Sequence, residues 1–187
     1  MKAATLHRAS GSLGFSLLEV LVALVIVSLG LIGLSKMQAA ALSNTQNSRA
    51  RALIALQASS LAEAMHGNRG FWAAGTAPAS VSATGTTVTD ASGILSATAD
   101  CSPAATAACT PAQLAAYDLQ TWMAGMNARF PSYAATIQCT TAIGTPISCV
   151  INLNWSEKYI AVNRTTAAAL GATQTASALQ YSLYVEP

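Results

Sequence analysis

The hydrophobic positions of this chain change their period twice. Residues 15–34, FSLLEVLVALVIVSLGLIGL, are apolar almost without a break. As a helix, a run of about 20 residues is about 30 Å long, which matches the hydrocarbon core of a bilayer. Beyond it the helical pattern continues in amphipathic form. Ala50, Ile54, Ala58, Leu61 and Met65 recur at steps of four or three and make one narrow apolar stripe, with Arg49, Arg51 and Glu63 off it. No proline falls between Phe15 and Gly67, and His66-Gly67-Asn68-Arg69-Gly70 is a stop signal. The pattern predicts one helix of about 50 residues, or ~75 Å. Its first half needs an apolar surrounding, and its second half packs on a head. Gly30 and Gly33 weaken it by about 1 kcal/mol each against alanine.

The remainder reads as that head. Residues 75–108 are mostly Ala, Thr, Ser and Gly with little periodicity, a long connecting region with room for a short strand or a turn of helix, closed at its end by Cys101 and Cys109. A helix start follows, with Thr110 as N-cap, Pro111 at the first helical position and Gln113 three on from the cap. Ala115, Leu119, Trp122, Met126 and Phe130 then recur at helical spacing until Pro131, which reads as a core face. Two alternating runs come next. Cys149, Ile151, Leu153 and Trp155 share one face, as do Leu179, Tyr181, Leu183 and Val185. Both are half-buried strands, and a third around Thr136 to Cys139 completes a hairpin with the first. The fold class is therefore α+β: a long N-terminal helix on a small antiparallel sheet, with an additional helix beside it.

Composition narrows the function classes. Only 9% of the 187 residues are charged, and the net charge is +2. No basic stripe is present, so direct nucleic-acid binding is not expected. Lys2 and Arg8 precede the apolar run and place the N-terminus in the cytoplasm and the rest outside. A secretory signal has a shorter apolar core and a small-residue cleavage site after it, so this segment reads as a retained span. The four cysteines form two local pairs, Cys101 with Cys109 and Cys139 with Cys149. Four cysteines allow three connectivities, and short loops favour neighbour pairing. Spacings this wide do not suit a zinc knuckle. With His7 and His66 the two histidines, no nucleophile elbow, phosphate loop or metalloprotease motif can be assembled. Asp90, Asp100 and Asp118 are scattered without calcium-loop spacing. Neither catalysis nor a cofactor is expected.

Glu19 breaks the apolar run near its start. A carboxylate at mid-bilayer costs on the order of 2.5–3.5 kcal/mol, and an intramembrane acid is read as functional, with a partner. Its place in the first turns softens that cost, because the positive end of the helix dipole favours an anion. Gly14-Phe15-Ser16-Leu17-Leu18-Glu19, behind a short basic leader, resembles the processing motif of type IV prepilins and type II secretion pseudopilins. The resemblance implies that a prepilin peptidase cuts between Gly14 and Phe15 and methylates the new amine of Phe15. It also implies that Glu19 pairs with the N-terminal ammonium of a neighbouring subunit during assembly.

The resemblance divides the chain into a leader (1–14), a transmembrane assembly helix (15–34), an amphipathic half (35–67) and a periplasmic head (68–187), loop-rich over 71–109. Within the head, Asp118-Leu119 with Trp122, a cysteine-closed hairpin, and Val150 with Trp155 are similar to PilV-type minor pilins. Taken together, these likenesses imply a minor pilin that helps initiate or assemble a type IV pilus and supports adhesion, twitching motility or DNA uptake. Its implied partners are other minor and major pilins, the prepilin peptidase and the inner-membrane assembly platform. Its implied location is the inner membrane as a single pass, then the pilus. The alternatives are a minor pseudopilin of a type II secretion system and a single-span anchored ligand-binding or adhesive tip protein.

Overall fold

The computed structural model describes residues 16–105, 107–140, 146–157 and 177–187. In chain order its elements are α1 (Leu17–Gly67), α2 (Arg69–Trp72), β1 (Ser80–Thr84), β2 (Thr87–Asp90), α3 (Pro111–Arg129), β3 (Ala134–Cys139), β4 (Cys149–Glu157) and β5 (Ser177–Val185). The strands form one antiparallel sheet in the order β2-β1-β3-β4-β5. This is the α+β arrangement expected from the sequence, a long apolar helix packed on a small antiparallel sheet.

The second half of α1 supplies one wall of the core. Ile54, Ala58, Leu61 and Met65 of the expected stripe are buried, Ala62 joins them, and Ala50 is half-buried. The opposite wall is the inner face of the sheet, where strand alternation puts Val81, Ala83, Ala135, Ile137, Ile151, Leu153 and Trp155 inside. Beside α1, α3 buries Ala115, Leu119, Trp122, Met123 and Met126 into the same core. Its start is a full capping box: the Gln113 amide donates to Thr110 Oγ1 at 3.3 Å, and the Thr110 amide donates to Gln113 Oε1 at 2.9 Å. Pro111 occupies the first turn, where its missing N–H costs nothing.

Residues 71–109 hold more regular structure than a connecting region. Phe71 and Trp72 are buried at the end of α2 with their rings edge-to-face at 5.1 Å. Next, β1 and β2 form a hairpin that extends the sheet beyond β3. Its two-residue turn is Gly85-Thr86, with Gly85 at φ +58° and Thr86 on the negative side. That is the turn whose first central position calls for glycine, and its twist suits a hairpin. Tyr133 donates its hydroxyl to Gly85 O at 2.9 Å and ties the turn to the body; burial pushes its pKa up to about 12. After β2 the chain folds round Asp90, whose carboxylate accepts from the amides of Ser92 (2.9 Å) and Leu95 (3.1 Å). Leu95 is thereby fixed in the core, and Gln120 of α3 holds the next stretch by donating to Leu95 O and Ala97 O at 3.0 and 2.9 Å.

Long-range polar contacts fix the stalk to the head. Arg51 donates from Nε and Nη2 to both oxygens of Glu157 at 2.9–3.2 Å, and Trp155 adds its indole N–H to Glu157 Oε1 at 3.1 Å. The Glu157 side chain is 2% exposed and that of Arg51 is 52% exposed. A carboxylate so buried is tolerated because a forked guanidinium and an indole donor replace its water. Trp122 donates its indole N–H to the α1 carbonyl of Gln57 at 2.9 Å, and Asn68 donates to Pro111 O at 2.7 Å.

Arg51→Met is expected to lower stability by ~1–3 kcal/mol, short of the ~3–5 kcal/mol of a fully buried pair because Arg51 stands half in water. Chemical denaturation of the two proteins measures it, and an unchanged midpoint would show the clamp to be idle. A second expectation concerns acid. Burial raises the Asp90 pKa, but the hydrogen bonds from the Ser92 side chain and the Leu95, Ser92 and Gly93 amides outweigh it, leaving it below 3.8. A depressed carboxylate contributes stability that is present above the unfolded-state pKa and lost as pH falls through the folded one. Asp90→Asn should therefore flatten the loss of thermal stability below about pH 4 while leaving its shape near neutrality.

Candidate functional site

The N-terminal half of α1 is built unlike the rest. Ser16 is extended and precedes the helix without a side-chain cap, and the amide of Glu19 donates to Ser16 O at 3.0 Å. Glu19 is the acid of the first turn, where a negative charge meets the positive end of the helix dipole. From Leu17 to Leu34 every large apolar side chain is exposed, from 49% at Val20 to 77% at Leu17. The exposure runs round the whole circumference, so there is no inward face. A helix apolar on all sides needs an apolar surrounding. It is long and apolar enough to cross a membrane.

The polar groups of this segment are handled accordingly. The hydroxyls of Ser28 and Ser35 fold back on the helix and donate to Leu24 O and Leu31 O at 2.6 and 2.9 Å. Each donor is thus satisfied without water, as a bilayer requires. Glu19 has no such local partner among the described residues, and its carboxylate stands exposed on the helix surface. Gly14 and Phe15, the expected processing pair, lie outside the described residues.

The other singled-out residues lie elsewhere and do not converge on Glu19. Cys139 and Cys149 are register partners on β3 and β4 and are disulfide-bonded, with Cα atoms 4.0 Å apart. Thr140 and Ser148 beyond them carry the ladder bond, Thr140 N to Ser148 O at 2.8 Å. The cysteines therefore occupy a non-hydrogen-bonded pair, where facing Cα atoms approach most closely. Cys101 and Cys109 are bonded across the loop that delivers the chain to Thr110, the cap of α3. Among the described residues no three His, Cys, Asp or Glu side chains gather as a metal site would need. Asp100 is held below 3.8 by hydrogen bonds from the Ser102 backbone and side chain, a turn role. The clamp of Arg51 on Glu157 is the feature that sequence reasoning missed, and residues 106 positions apart carry no local signal of meeting.

Residues 10–35 match the family model for the prokaryotic N-terminal methylation motif. The segment is a type IV pilin-like signal. The matched span includes Gly14, Phe15 and Glu19 and the apolar half of α1. It points to a structural subunit of the pilin or pseudopilin kind rather than an enzyme, held by an N-terminal membrane anchor. It also points to association with other pilins and their processing machinery in general. No curated protein and no solved structure matches the chain.

If the apolar half of α1 is the anchor, its removal frees the head. The full chain is expected to stay in the membrane pellet after alkaline carbonate extraction, and a version lacking residues 1–34 to appear in the supernatant. Full-length protein released by carbonate would contradict the anchor.

Proposed function

We propose that this chain is a minor pilin that takes part in initiating and assembling a type IV pilus. The observation that carries this reading is Glu19 in the first turn of a helix whose next 15 residues bury nothing within the chain. An anchor alone has no use for that carboxylate. A transferable assembly element does, because it must recognise its neighbour inside an apolar medium.

In this reading the prepilin peptidase cuts between Gly14 and Phe15. A side chain at position 14 would obstruct the cut. The Phe15 amine is exposed, methylated and positively charged. Glu19 of one subunit then pairs with the ammonium of the next, and two groups that are costly alone in lipid neutralise each other. The helix anchors the chain in the inner membrane with its N-terminus inside and the head in the periplasm. From there it passes, through the assembly platform, into a bundle of the same apolar helices of minor and major pilins. The second half of α1, clamped by Arg51–Glu157, carries the head with it as one body. The two disulfides suit a head that works outside the cytoplasm.

Two substitutions test the two halves of the proposal. Replacing Gly14 with a bulky residue should leave the chain ~1.4 kDa heavier than the processed protein, on about 14 residues retained. Mass spectrometry of membrane-extracted protein reads it, and a mutant of processed size places the cut elsewhere. Glu19→Ala should be cleaved normally yet be absent from sheared filaments. Its incorporation at the level of the unmodified chain would remove the assembly role.

A further inference from the structure

Asp118 has no internal partner among the described residues. Of the Asp118-Leu119-x-x-Trp122 motif, Leu119 is fully buried in the core, and Trp122 is buried with its N–H donated to Gln57 O. Asp118 is half-buried on the same helix, accepts no hydrogen bond and forms no ion pair among the described residues. It stands in a groove of ≈ 240 Å³ between α1 and α3, whose floor and walls include Gln57, Ser60, Leu61, Ala64, Trp122 and Gly125. Burial alone moves its carboxyl, raising the pKa above 3.8. A carboxylate drawn from water and left without a partner costs stability, and the other partly buried acids of the head avoid this: Asp90 is ringed by amides, and Glu157 is held by Arg51.

We propose that this groove is a socket for a lysine or arginine side chain presented by another polypeptide. The shape and chemistry select that occupant. Among the described residues Asp118 is the one charged residue lining the groove, so the complementary group is a cation. A metal ion is a poor fit, because calcium takes six to eight oxygen ligands and a single carboxylate is offered. A long basic side chain fits both parts. Its alkyl stem lies on Leu61, Ala64 and the indole of Trp122, while its head meets Asp118 and the Gln57, Ser60 and Thr121 oxygens at the rim. The small residues Ser60, Ala64 and Gly125 keep the groove open, and a Cβ built at Gly125 meets nothing closer than Arg129 Nη1 at 3.9 Å. The socket goes beyond the pilus reading and does not depend on it.

The test places a photo-crosslinking benzoylphenylalanine at Thr121, on the groove rim, in the full chain in producing cells. The cross-linked peptide is mapped by mass spectrometry. We expect one principal cross-link, to a peptide with a lysine or arginine within a few residues of the joined position. Asp118→Arg should lower its yield roughly tenfold or more, as loss of a partly desolvated pair does. Reversing the mapped base to glutamate should restore the yield. Gly125→Leu, which fills the groove without touching the charge and favours the helix, should block the cross-link equally. Neither substitution should lower the thermal midpoint, since neither removes an internal bond, and this separates groove loss from unfolding. A cross-link to a peptide without a base, a yield indifferent to Asp118→Arg, failure of the charge reversal, or no cross-link at all would overturn the proposal. Filament incorporation, read separately through Glu19→Ala, can fail while this result stands.

Discussion

Everything in this molecule is arranged around an apolar surface that it cannot cover. Between Leu17 and Leu34, 13 large aliphatic side chains stand roughly half to three-quarters exposed. At ~1.5–3 kcal/mol for fully burying each, scaled to the part still exposed, the unmet stabilisation is on the order of 12–25 kcal/mol. That matches or exceeds the ~5–15 kcal/mol by which a folded domain is normally stable. Water is therefore not a tolerable medium for this half of α1, and its surroundings must be lipid or other apolar helices. The same comparison explains how Glu19 can be carried. Its cost of about 2.5–3.5 kcal/mol is roughly a sixth of the apolar term, so one carboxylate does not unseat the helix.

The second half of α1 has the opposite task, and the change occurs along one unbroken helix. Ala40 is the first buried position, and Ile54, Ala58, Leu61 and Met65 then point into the head. A narrow stripe alone would allow the helix to roll. The directional bonds oppose this: the fork of Arg51 on Glu157 pins α1 to the end of β4, and the Trp122 indole pins α3 to the Gln57 carbonyl. Any pull on the N-terminal helix is thus transmitted to β4 and α3.

Most of this was legible where the hydrophobic period has contrast. The bounds of α1 follow from an uninterrupted pattern and a Gly-Asn-Arg-Gly stop, and those of α3 from Thr110, Pro111 and Pro131. Strands β4 and β5 alternate large apolar with polar residues, which is why their faces could be assigned from the sequence. The β1–β2 hairpin was not legible, because its inward residues are Val81, Ala83 and Val88 among Ser and Thr, and alanine barely differs from threonine as a core signal. The Gly85-Thr86 turn between runs of β-branched residues was the cue available. Phe71, Trp72 and Leu95 anchor that region from positions with no period, so only the folded chain shows what they hold. Glu19 was legible for the reverse reason: it contradicts its neighbours. The clamp partners, by contrast, agree with theirs.

A chain this poor in charge makes each remaining charge informative. Glu63 is exposed on the helix surface, where a carboxylate needs no partner. Glu186 accepts from the Tyr184 hydroxyl, Asp90 and Asp100 order turns, and Glu157 receives Arg51. Glu19 and Asp118 remain, one on a segment that must enter an apolar medium and one in a groove already withdrawn from water. Both positions make an unpaired anion costly, and neither is compensated by a described residue of the same chain. The resolution proposed is the same in each case, a cation supplied from outside. On the two proposals made above, the carboxylates are complementary halves of contacts, Glu19 at the stalk and Asp118 at the head.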